Sequence, residues 1–135
     1  MRKLIAAAAA LLVLFSASAA VVNYTTTLTP DGQANTILVS WTPMLNGDTG
    51  QPASISQYSD RTVHVTGTFS VGGTAVLEGS NDGTNWSTLT DLTGTAISKT
   101  AAGVSIVAEN PRFIRAHVTA GDGSTSLTVT VLGRR

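Results

Sequence analysis

The sequence predicts an all-β fold: an antiparallel β-sandwich of about eight or nine strands in one domain. Three observations carry this. From Val21 onward, apolar and polar side chains alternate with a period of two, the period of a half-buried strand. Turn signals built on Gly, Asn, Asp and Pro interrupt that alternation at short intervals. No stretch after Ala20 has the apolar spacing of an amphipathic helix. Composition agrees. Hydrophobic residues make up 42% and charged residues 12% of 135 positions, which is too apolar for a disordered chain and enough for one core.

The first element differs from the rest. Residues 1–19 are laid out like a secretory signal peptide. Arg2 and Lys3 form a short positive region, residues 4–15 are an uncharged apolar run, and Ala17-Ser18-Ala19 fits a small-x-small cleavage site. The run is short for a helix that must cross roughly 30 Å of hydrocarbon. The expected division is therefore a leader over 1–19, either cleaved or retained as an interface arm, and a single sandwich domain over 20–135.

The strands follow in order. Residues 21–29 are β-branched and end at the turn signal Pro30-Asp31-Gly32. Residues 35–42 place Ile37, Val39 and Trp41 on one face. Residues 43–60 hold two Pro and two Gly and read as a long loop, the first candidate for a partner contact. Residues 62–71 alternate, with Val63, Val65, Phe69 and Val71 on the inner face, and Gly72-Gly73 reads as a hairpin link. "TAVLEGS" returns, Asn81-Asp82-Gly83 turns, and "TNWSTLTD" follows until Gly94. "AISKT" and "GVSIVAE" read as short edge pieces. In "RFIRAHVTA", Ile114, Ala116 and Val118 oppose Phe113, Arg115 and His117. After Gly121-Asp122-Gly123, Leu127, Val129 and Val131 point inward.

Charge narrows the function. Formal net charge is zero; loss of Arg2 and Lys3 with the leader leaves 8 − 2 = 6 basic against 8 acidic residues, a net of −2. That balance, without a basic block, gives no grip on nucleic acid. The absence of cysteine excludes disulfides and thiolate metal sites.

Candidate chemistry is sparse, and the expected catalytic, cofactor-binding and metal-binding residues are none. The turns at Asp48, Asp82 and Asp122 each offer one carboxylate, whereas calcium takes six to eight oxygens. His64 and His117 lack ligand spacing and fall on alternating strands, as surface or cross-strand residues. No nucleophile elbow is present, and Glu78 and Glu109 are far apart in the chain. A non-enzymatic role is the expectation. Trp41 and Trp86 could stack on a sugar, but a core with 5% aromatic residues is expected to use both, Trp86 above all.

The blocks "WTPMLNGDTGQP", "DRTVHVTGTF", "LEGSNDGTNWSTLTD" and "NPRFIRAHVTAGDGSTSLTVTVLGRR", in this order, resemble small bacteriophage structural proteins. The resemblance covers nearly the whole chain after Val21. It implies a virion subunit, a capsid decoration (cement) protein that contacts the major capsid protein or other virion subunits. A lattice role also implies self-association, for example as a trimer; the charge balance leaves no nucleic-acid partner, and no membrane contact is expected once the leader is gone. A shorter resemblance, carried by "SNDGTNWSTL", "RFIRAHV" and "SLTVTVLG", is to the second half of discoidin-type jelly-roll domains. It implies a jelly-roll-like sandwich and, with the leader, the alternative of a secreted or cell-surface glycan-binding module, with a secreted or periplasmic location in place of the virion.

Overall fold

Alternation sorts the side chains into one core between two sheets. In the computed structural model, which describes residues 18–27 and 35–135, twelve strands form. They are β1 (Val21–Val22), β2 (Tyr24–Thr27), β3 (Thr36–Leu45), β4 (Thr49–Gly50), β5 (Ala53–Ser54) and β6 (Asp60–Thr68). After them come β7 (Thr74–Ser80), β8 (Ser87–Thr88), β9 (Ser98–Lys99), β10 (Gly103–Ile106), β11 (Phe113–Ala120) and β12 (Ser126–Arg134). The number exceeds the expected eight or nine because two-residue strands with weak alternation are counted.

One sheet runs β1-β4-β11-β7-β8, with β5 also on β11 and β9 also on β7; the other runs β10-β6-β12-β3-β2. All pairs are antiparallel except β1 with β4. We take β4 with β5, and β8 with β9, as single interrupted strands. From β3 to β12 the chain then changes sheet at every connection but one, and the interlaced strand orders are those of a jelly roll.

The core is built from the positions that alternation assigns inward. Val39, Trp41, Val63, Val65, Leu127, Val129 and Val131 come from one sheet; Ala75, Leu77, Ile114, Ala116 and Val118 come from the other. Trp41 is fully buried, and its indole Nε1 donates to the Gln51 carbonyl at 2.9 Å. Gly50 lies against that indole, where a Cβ would come within 2.6 Å of Nε1.

Several expectations are corrected. The first strand divides at Asn23, giving β1 to one sheet and β2 to the other. The turn at Pro30-Asp31-Gly32 and most of the leader lie outside the described residues. Gly72-Gly73 is not a hairpin link: β6 and β7 belong to opposite sheets, so the chain arches across the sandwich edge. Gly73 is needed because a Cβ there would run into the Phe69 carbonyl. The arch also turns Val71 outward, 83% exposed.

Residues 43–60 are not a free loop. They finish β3, contribute β4 and β5, and bury Met44, Asp48, Ala53, Ile55 and Tyr58. The tight turn at residues 45–48 is held by its own carboxylate, since Asp48 accepts from the Leu45 amide at 2.8 Å. Pro43 is tolerated inside β3 because pairing with β12 is irregular there, and a proline has no N–H to contribute to the ladder.

Candidate functional site

The outer faces of the two sheets carry different chemistry. On the β7–β11 side, the positions opposite the core include Val76, Glu78, Phe113, Arg115 and His117. Register places Arg115 directly across from Glu78, and Arg115 Nε donates to Glu78 Oε2 at 2.6 Å. Glu78 Oε1 lies 3.1 Å from His117 Nδ1. Burial pushes the Glu78 carboxyl up, but hydrogen bonds from His117 and Arg115 outweigh it and hold the group below the ordinary glutamate range.

Trp86 joins this network instead of the core. The Arg115 guanidinium sits 4.1 Å from its ring centre. The correction follows from register. Glu78 pairs with Thr88 across β7 and β8, so Trp86, two residues before Thr88, returns to the same outward side. The aromatic demand of the core is met by Trp41, with Tyr24 packed edge-on at 6.2 Å.

The outer face of the other sheet carries no charged residue in two of its rows, and the Asp60–Arg134 pair lies in the row beyond them, at the strand ends. One row across five strands reads Val104, His64, Thr130, Ser40 and Thr25; the next reads Ile106, Thr62, Leu132, Leu38 and Thr27. Val104 is 59% and Ile106 46% exposed, both on β10, the edge strand of that sheet. Residues 100–108 carry no charge and no proline, so two of the features that usually block strand addition are missing, although β10 is short at four residues.

The single-Asp turns are held by their own carboxylates. Asp82 accepts from Ser80 Oγ, Thr84 N, Asn85 N and Asn85 Nδ2 at 2.7–2.9 Å. Its carboxyl is held far below the usual range, first by the Asn85 amide. Asp122 accepts from the Ser124 amide at 2.8 Å. Among the described residues, no three His, Asp or Glu side chains come together in a metal-binding group.

A cleft of about 530 Å³ opens beside the Asp82 turn, floored by Leu89 and Pro111. Three asparagines at its wall are each fixed at one end. Asn85 Nδ2 donates to Asp82 at 2.7 Å, Asn81 Oδ1 accepts from the Arg112 amide at 3.0 Å, and Asn110 Nδ2 reaches the Ser56 carbonyl at 3.4 Å. Glu109, also on the wall, accepts from the Thr90 hydroxyl at 2.6 Å and the Thr90 amide at 2.9 Å. The cleft is not legible in the sequence because Asn110 and Pro111 come from a segment distant from the turn that holds Asn81 and Asn85, and only the fold joins the two.

Arg61 carries no local sequence signal, yet it is 1% exposed. Its guanidinium donates to the carbonyls of Tyr58 at 2.7 Å, Ile55 at 2.8 Å and Pro111 at 3.4 Å, and burial pushes its pKa down to about 10. No carboxylate pairs with it among the described residues. It acts as a cross-tie between residues 55–58 and the entry to β11. Arg134, by contrast, pairs with Asp60 at 3.3 Å at the exposed strand ends.

Comparison with protein-family models, with curated proteins and with solved structures finds no match for this chain.

Proposed function

We propose that the chain is a non-enzymatic virion structural protein, a capsid decoration protein that stabilises a head lattice through subunit contacts. The observation that carries the reading is the neutral outer face that ends at the unprotected edge of β10. Uncharged, β-branched surface docks on a partner without the desolvation cost of buried charge, and a rigid sandwich transmits load across the joint. The jelly roll recurs in viral capsid subunits, which supports the reading by analogy only. Partners would be the major capsid protein or neighbouring copies of this chain, in a symmetric ring such as a trimer. Fractionation of purified particles tests this. The chain should co-purify with heads at a fixed ratio, and its absence from particles ends the proposal.

A second reading, a glycan-binding module, is favoured by the cleft beside Asp82. Trp41 is buried and one face of Trp86 is covered by Arg115, so the tryptophans are poor sugar platforms. The asparagine wall over an apolar floor fits a neutral, hydroxyl-rich ligand better. Binding on a glycan array that disappears with Asn110→Ala would favour this reading over the first.

A further inference from the structure

Asp48 is 5% exposed, and its carboxylate has no cationic partner among the described residues. Its two oxygens are met by backbone amides. One belongs to Leu45 in the same turn; the other belongs to Ala20, 28 positions away, whose nitrogen lies 2.9 Å from Oδ1. A buried carboxylate held only by neutral donors is an incomplete arrangement, because amides repay less of its lost hydration than a cation does. The nitrogen on Oδ1 belongs to the residue that follows Ala17-Ser18-Ala19, the small-x-small site.

We propose that hydrolysis of the Ala19–Ala20 bond completes this arrangement. Water adds across the peptide bond; Ala19 leaves with a carboxylate, and the Ala20 nitrogen becomes an α-ammonium. That nitrogen already sits on Asp48 Oδ1. Cleavage thus turns an amide contact into an ion pair at an unchanged position, and the new terminus locks to the sandwich. The residues around it are in place. The Ala20 carbonyl accepts from the Thr49 amide at 2.9 Å, the Val22 carbonyl accepts from the Gln51 amide at 2.8 Å, and Val21 and Val22 pair with Thr49 and Gly50. Ala19 and Ala20 are exposed, open to a protease that selects small residues. The inference rests on removal of the leader, the expectation that also underlies the secreted alternative.

The test takes the full chain through a cell with an export pathway and measures the intact mass of the product. A mass beginning at Ala20 is expected; a product that retains Met1, or begins elsewhere, overturns the proposal. The processed protein is then compared with the same protein after acetylation of its α-amine, in a Lys99→Arg background so that no lysine reacts. Acetylation should lower Tm by about 3–6 °C. It should have no effect in Asp48→Asn, provided that variant folds. An unchanged Tm on acetylation shows cleavage without pairing and overturns the lock even if the mass is as expected.

Discussion

The two outer faces of this sandwich follow the same alternation but treat charge in opposite ways. On the β7–β11 side, Glu78, Arg115, His117 and Trp86 saturate one another. On the β6–β12 side, the same outward positions hold Thr, Ser, Val, Ile and Leu, with His64 the one titratable side chain in the two rows described. A face whose charges are internally paired has little left to offer a partner. A neutral face ending at an open edge has its whole surface available. The difference directs the search for contacts to β10 and its neighbours.

The comparison breaks most completely if the shared core fails. Trp41→Ala empties the largest fully buried side chain and should cost about 3–5 kcal/mol. Both faces should be lost in one transition, seen as coincident near- and far-UV circular dichroism melts. Next is Glu78→Ala, which strips Arg115 and His117 of their shared partner on the charged face. A loss of about 1–2 kcal/mol at neutral pH is expected from urea titration. Because the folded pKa of Glu78 lies below its unfolded value, its contribution is complete above about pH 4.3 and disappears as pH falls through the folded value. The stability gap between wild type and variant should therefore narrow on acidification through that range; a gap that stays constant would show that the carboxylate is not the source.

Arg115→Ala is expected to act more weakly, with about 1 kcal/mol lost and the ring of Trp86 uncovered. Its readout is optical. Emission should shift to the red and acrylamide quenching should rise, while the buried Trp41 contributes no change. The smallest effect on stability belongs to the other face. Val104→Lys should alter folding by less than about 0.5 kcal/mol, since the side chain is 59% exposed. It should nonetheless abolish self-association or particle binding in sedimentation experiments. Undiminished association would move the contact surface away from β10.

Much of the fold was legible because alternation reports which side chains point inward. Val63 and Val65, Ile114 to Val118 at every second position, and Leu127 to Val131 at every second position are all core. Alternation does not report which sheet a strand joins. Gly72-Gly73 has the composition of a hairpin whether the chain folds back or arches over the sandwich edge, and only the pairing of β6 with β12 and of β7 with β11 separates the two. Residues 43–60 were opaque for a related reason. Two-residue strands such as β4 and β5 are too short for a period, and their burial comes from being crossed by other elements. Arg61 and the asparagine cleft depend on partners 50 or more positions away for some of their bonds, which no local pattern encodes.

The division of the N-terminal stretch at Asn23 has a mechanical consequence. Val21 and Val22 pair with Thr49 and Gly50 in one sheet, and Tyr24 to Thr27 pair with Trp41 to Leu38 in the other. A pull applied at Ala20 would therefore reach both layers within a few residues of chain. The force would first strain the short parallel seam of β1 and then the longer antiparallel one of β2, so the sandwich would be tensioned as a unit before either layer could peel away from the other.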